Sequence, residues 1–350
     1  MDIGGSPRRR GAFLESVAVL AVVAVVLAVA LGCSARPAVP ARRPASTVAG
    51  SAPVPPRNPG CGPTYARGTE SWPDCATSGV PRDARLKPES GELTIRKNGT
   101  VINHVNLAGS IDIYANNVTI ENSNILSSGY WGIYQRPGYS GLNILNNTVT
   151  GNVGRGPDSG GEDIGVWAQG DDITIARNNI SEFGGNLNAG TGNIYGNYLH
   201  DEQAFGSTGI GGCNPLPHPI GRCYNHSDAF GIDAGRGIDL HDNTILEARI
   251  PGATSAVELD DDLGVISDVR VTGNFIAGGD YCTYAGSNPD SSPSAHIIYQ
   301  NNYFSTLYYP NCGQYGPVAY WNPAGEGSVW SGNYWADGPL AGRELRQAAS

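Results

Sequence analysis

Apolar residues recur along this chain in one short phrase: apolar, any, apolar, any, any, Asn, any, apolar. Eight copies lie between Asn117 and Trp335. Val118, Ile120, Ser123 and Ile125 form the first, with Ser in the Asn slot. Others are built around Asn147, Asn178, Asn197, Asn243, Asn274, Asn302 and Asn333. Alternating apolar residues turn one face of a short strand inward. The Asn is expected at a turn, because Asn tolerates the left-handed conformation and hydrogen-bonds local backbone. Successive Asn slots are 24, 31, 19, 46, 31, 28 and 31 residues apart, which suits one solenoid coil per copy. The 46-residue gap hides either an extra coil or a long insertion. The pattern predicts an all-β chain, a right-handed parallel β-helix whose stacked Asn amides form a ladder.

A second short strand precedes most ladder phrases. Its copies are Tyr130–Tyr134, Asp163–Trp167, Ala229–Asp233, Thr254–Glu258 and Tyr281–Ala285, with a looser one ending at Trp321. With Ile133, Val166, Ile232, Val257 and Tyr284 turned inward, their neighbours face out. One outward column then reads Tyr134, Trp167, Asp233, Glu258, Ala285, Trp321, and a second reads Tyr130, Asp163, Ala229, Thr254, Tyr281. Gly132, Gly165, Gly231, Ala256 and Thr283 make a small-residue floor between them. Aromatic walls over such a floor suit an extended sugar chain, and Tyr130, Tyr134, Asp163, Trp167, Tyr281 and Trp321 are its expected contacts. The plainer reading is that these aromatics cover sheet surface. A one-residue slip in register would reverse every side chain.

The first 58 residues stand apart from the repeat. Arg8, Arg9 and Arg10 precede an apolar run from Val17 to Leu31, the layout of an export signal. Ala30-Leu31-Gly32-Cys33 resembles a lipobox, which would lipidate Cys33; an uncleaved anchor and plain secretion are the other readings. Residues 34–58 are Ala, Pro, Arg and Ser without periodicity and read as a disordered linker. The β-helix domain is expected over residues 59–340 and a C-terminal tail over 341–350. Six further cysteines in an exported chain suggest disulfides, most simply Cys61–Cys75, Cys213–Cys223 and Cys282–Cys312. A metal cluster of Cys213, Cys223, His218 and His226 is the less favoured reading.

Charge narrows the partners. The chain carries a net −10, and its first 58 residues hold seven basic and two acidic residues, so the remainder stands at −15. No basic patch interleaves with aromatics, so nucleic acid is not an expected partner. A polysaccharide is, either neutral or acidic and bridged by Ca²⁺, with the membrane reached through the N-terminus and the protein a monomer.

The densest chemistry lies in Tyr224-Asn-His226-Ser-Asp228-Ala-Phe-Gly-Ile-Asp233, preceded by His200-Asp201. Imidazole beside carboxylate is the equipment of general acid–base work. His226, Asp228, Asp233 and Glu258 are the candidate catalytic residues. Asp233 and Glu258 would lie about 4.8 Å apart on neighbouring coils, close enough to raise one pKa or share a cation. Asp260-Asp261-Asp262 reads as a Ca²⁺ loop or as a solvated turn. His200 and His226 are as readily turn residues, and Arg136 and Arg236, with His226 or Tyr134, are candidate bases for β-elimination.

From Cys61 to about Phe304 the chain resembles exported actinobacterial right-handed β-helix proteins related to the pectate-lyase-like superfamily. Ser78-Gly-Val-Pro81, Asn117–Ser123, Tyr130–Ile133, His226-Ser-Asp228, Thr254–Ala256 and Ile276–Gly279 carry the resemblance. It implies the β-helix fold and a surface role; the superfamily contains lyases, hydrolases, epimerases and non-catalytic binders. Many such proteins place His-x-Asp-Gly here, whereas Ala229-Phe230 separate Asp228 from Gly231 in this chain. The expected function is polysaccharide binding with lyase or hydrolase chemistry, and the alternative is a glycan-binding or adhesive module.

Overall fold

A computed structural model describes residues 65–67, 70–127, 129–152, 164–204, 206–207, 223–224, 226–287 and 294–347. The expected signal, Cys33, the linker, Cys61, Asp163, Cys213 and His218 lie outside the described residues.

Three long parallel sheets wrap a common core, giving a parallel β-helix. Each coil runs through one strand of each sheet in turn. The first sheet has ten strands, from Lys87–Ser90 to Tyr334–Trp335. The second has nine, from Leu93–Ile95 to Gly316–Ala319, and the third nine, from Val101–Asn103 to Val329–Ser331. Inward residues stack in register: Ile120, Ile144, Ile175, Ile194, Leu240, Val271 and Tyr299 form one column of the third sheet. All of them are fully buried.

The Asn ladder occupies the turn from the third sheet to the first. From Asn178 onward, each ladder Asn accepts two bonds at its Oδ1, from the backbone N–H and the Nδ2–H of the preceding coil's Asn, while Asn147 accepts the Ser123 backbone N–H. For Asn147 on Asn178 these bonds are 2.9 and 3.1 Å. Its Nδ2 also donates to the Ile120 carbonyl at 2.8 Å. The pattern continues through Asn197, Asn243, Asn274, Asn302 and Asn333, all fully buried. Buried polar groups are stable only when paired, and here every coil pairs the next. The left-handed residue is not the ladder Asn but the one before it. Asn122, Asn146, Arg177, Gly196, Asp242, Gly273, Asn301 and Gly332 have φ between 50° and 67°. Moving the strained φ one residue upstream leaves the ladder amide free to point inward.

Asn197 bonds Asn243 directly, so the 46-residue interval is an insertion within one coil. It enters between Tyr198–His200 of the first sheet and Ser227–Ile232 of the second.

Residues 65–81 run as a strap over the outer face of the first sheet. Trp72 donates its indole N–H to the Gly273 carbonyl at 2.7 Å and packs on Phe275 and Tyr303. Farther along, the Gly79 N–H reaches the Arg177 carbonyl at 2.9 Å. Cys75 is disulfide-bonded, and Cys282–Cys312 is a disulfide as expected. Residues 341–347, expected as a tail, dock on the last coil instead: Leu345 is buried, and its carbonyl accepts the Trp330 indole N–H at 2.7 Å.

Candidate active site

The outer face of the second sheet carries the site, in a register that differs from the expected columns. Trp167 pairs with Asn188, Asn188 with Gly231, Gly231 with Glu258 and Glu258 with Tyr284. Asp233 is therefore two residues beyond the Glu258 row, exposed past the strand end. Tyr284, expected inward, faces out, and Thr283 takes the inner position beside the buried Tyr299 hydroxyl at 2.6 Å.

The cause of the slip is local. A Cβ on Gly132 would meet Val149 and Phe183 of the core, and one on Gly165 would meet Ile180 and Phe183. Those glycines lie on the inner side, where strand and Phe183 approach too closely for a side chain. Gly231 is different. Its Cβ would sit 3.4 Å from the Asp228 Cβ and 3.5 Å from Glu258 Oε2, on the outer side. The missing side chain opens the space in which Asp228 and Glu258 meet.

The pairing with the next strand shifts register between Ser227 and Asp228, which leaves Asp228 opposite Ser255. The Ser255 hydroxyl donates to Asp228 Oδ1 at 2.8 Å. Asp228 and Glu258 converge on the space left open at Gly231, and each acts on the other's carboxyl group. Burial raises the Asp228 pKa, while the bonds from Glu258 and Ser255 and the charge of His226 pull it back. Glu258 rises well above the usual carboxylate range, through burial first and the Asp228 charge second.

Asp233 and His226 act on this dyad, and His226 acts on Asp280 as well. Loss of water around its carboxyl, then the Asp228 and Asp262 charges, raise the Asp233 pKa. His226 is exposed and its charge acts on Asp228, Asp233 and Asp280. Asp280 is half-buried with a raised pKa, so the next coil adds another acid that no sequence column contained.

An aromatic platform adjoins the dyad along the sheet. Tyr134 and Trp167 stack with ring centroids 4.7 Å apart and planes within 10°. Trp131, absent from the sequence columns, packs edge-on against Tyr134 at 4.7 Å, and Tyr130 is exposed beyond it. Tyr281 meets Tyr284 and Tyr315 on the far side of the dyad. At the turn from the second sheet to the third lies a cleft of about 640 Å³ lined by Asn188, Ala234, Arg236, Asp171 and Asp268.

Several expected residues are elsewhere. Trp321 is not in the groove; it plugs the end of the core against Tyr299 and Trp330. Arg136 is not a free base, because Asp112 holds it bidentately at 2.7 and 2.8 Å under the Tyr134 ring. Tyr134 is no base either: its hydroxyl donates to Gln169 at 2.6 Å, and burial raises its pKa. His200 ends a strand of the first sheet, bonded to Asp201 and Asn179 and stacked on Tyr198. Asp260 and Asp261 are buried while Asp262 is exposed. Ser294 donates to Asp261 at 3.2 Å, and among the described residues no group of three acids, histidines or cysteines is arranged to hold a metal ion.

Comparison with protein families, curated proteins and solved structures finds no match for this chain.

Proposed function

We propose that this chain is an exported, surface-held β-helix protein that binds a polysaccharide along its second sheet and hydrolyses it at the Asp228–Glu258 dyad. One observation carries the reading: two acids, Asp228 and Glu258, converge over Gly231 on the same sheet face that carries a stacked aromatic pair. Indole and phenol faces take sugar rings, and Trp131, Tyr134 and Trp167 offer three in succession.

The chemistry follows from protonation. Glu258, whose pKa is raised by burial and by the Asp228 charge, is the general acid, donating to the glycosidic oxygen as the C–O bond breaks. Water attacks the anomeric carbon and gives its proton to Asp233, the exposed carboxylate across Gly231. Asp228 accepts the hydrogen bond of Ser255, orients the acid and carries the negative charge beside it. His226 moderates that charge. One new reducing end forms per bond cleaved. Elimination would call on Arg236 or His226 as its base, since Arg136 and Tyr134 are both engaged.

A binding module remains the second reading, because the Trp131–Tyr134–Trp167 platform needs no dyad to hold a glycan. The full-length protein on a panel of neutral and acidic polysaccharides separates the cases. New reducing ends without ultraviolet absorbance of unsaturated uronate support the hydrolase. Absorbance means a lyase, and binding without either means the module.

A further inference from the structure

The outward row of the second sheet runs Tyr134, Trp167, Asn188, Gly231, Glu258. Register-matched positions of the third sheet run Asn143, Thr174, Asn193, Asp239, Arg270. The turns that join the two rows form a ridge along one side of the outward row. Successive turns contain 8, 6, 4, 7 and 11 residues (135–142, 168–173, 189–192, 232–238 and 259–269). The turn after Asn188 is the shortest, with longer turns on both sides of it. The ridge is therefore notched at that coil, and the cleft of about 640 Å³ is the notch.

Asn188, Gly190 and Thr191 of the short turn make its floor. Residues 168–171 of the preceding coil and 234–237 of the following coil make its walls, and Asp268 of the coil beyond completes the lining. The second wall stands directly on the floor. Arg236 donates its backbone N–H to the Gly190 carbonyl at 2.9 Å, and a Cβ on Gly235 would lie 2.4 Å from that carbonyl oxygen. Backbone thus sets the shape of the notch, and its volume is that of a ligand site, about 300–1,000 Å³. It opens onto the outward row at Asn188, between Trp167 and Gly231.

The side chains there suit hydroxyl groups. Asp171 of one wall and Arg236 of the other are exposed, and neither side chain has a partner among the described residues. Asp268 is engaged, taking His296 Nδ1 at 3.0 Å. One open carboxylate and one open guanidinium balance in charge, and the Asn188 amide and Thr191 hydroxyl add donors and acceptors between them. Sugar hydroxyls donate and accept alike, whereas an anionic group would face both Asp171 and Asp268.

We propose that the notch is a branch subsite: it takes a neutral monosaccharide side branch on the backbone sugar lying over Asn188, so that the ligand is a branched polysaccharide. This rests on the reading that a glycan runs along the second sheet. The branch leaves the groove through the gap in the ridge while the backbone continues from Trp167 toward Glu258.

The test measures binding by affinity electrophoresis, using the full-length protein with Glu258→Gln so that turnover cannot erode the ligand. The probes are pairs of one backbone with and without single-sugar branches: galactomannan and linear mannan, arabinoxylan and linear xylan, xyloglucan and linear glucan. In at least one pair the branched member should bind about tenfold tighter, the effect of one hydrogen bond to a charged group. Thr191→Trp places an indole on the floor and alters no residue of the outward row. It should cut the preference to less than about twofold and leave the affinity for the unbranched member unchanged. Arg236→Ala should weaken the branched member alone, by about fivefold. Equal binding within every pair would overturn the proposal, as would a preference that survives in folded Thr191→Trp or one confined to the acidic branches of glucuronoxylan. Binding of no glycan at all would overturn the polysaccharide reading as well, so the two failures are distinct.

Discussion

At the scale of single residues, the site is organised by the absence of a side chain at Gly231. Asp228 and Glu258 could not both reach the same space if that position carried a bulky group. Sequence alone marked Asp228 and Glu258 as candidates from their chemistry, yet it paired Glu258 with Asp233. The reason is that Gly231 follows Phe230 as Gly132 follows Trp131, although one glycine faces out and the other in. Trp131 escaped notice for the same reason, its direction being set by the irregular pairing around Gly132. The stacked Tyr134–Trp167 pair makes a direct prediction. Trp167→Ala removes one platform ring and should weaken glycan binding about fivefold, the worth of roughly 1 kcal/mol of aromatic contact. Calorimetric titration with the best glycan of the panel measures it, and the fold, read by circular dichroism, should be unchanged.

At the scale of strands and turns, the ladder was the most legible feature, because a buried amide repeated once per coil has few alternative explanations. Its stacked positions from Ser123 to Asn333 are the expected ones, while the left-handed φ lies one residue earlier than the Asn preference suggests. Register on the second sheet was the least legible. Its strands are short, and a slip of two residues at Gly231 or of one at Tyr284 leaves the apolar pattern nearly intact. Asn178→Ala should strip acceptors from the Asn147 backbone and side-chain N–H groups. With about 1–3 kcal/mol for each buried donor left unpaired, the expected loss is about 2–4 kcal/mol, read as a lower urea midpoint at unchanged slope. Gly165→Ala tests the inner face in the same way. Its Cβ would lie 2.6 Å from the Asn186 carbonyl oxygen and 2.9 Å from Phe183, and the crowding should cost about 1–3 kcal/mol.

At the scale of the whole molecule, the solenoid stores protons. Glu202, Glu247, Asp228 and Glu258 all have raised pKa values, with burial the largest cause in each. A carboxyl raised in the folded state binds its proton more tightly there than in the unfolded chain. Its contribution to stability is complete below the unfolded value of about 4.3 and is lost as pH rises through the folded value. Glu202 is pushed up to about 8, so its window closes near there. Stability should therefore fall from pH 5 toward pH 8, by about 1.4 kcal/mol per pH unit for each group still protonated only in the folded state. Denaturant unfolding across that range measures the slope, and Glu202→Gln should flatten it by one group. A slope of opposite sign would mean that the acids are paired with positive charge. None of this was legible in the sequence, where Glu202 and Glu247 look like ordinary turn acids; only the corner that folds them behind Asp228 makes them unusual. The central claim, that the dyad cleaves a glycan held on the aromatic platform, is tested most directly by comparing the unmodified protein with Glu258→Gln on one polysaccharide, measuring binding and new reducing ends together. Loss of turnover by about 10²–10⁴-fold with binding retained is the expected result. Equal turnover in both proteins, or firm binding with no turnover in either, would contradict it.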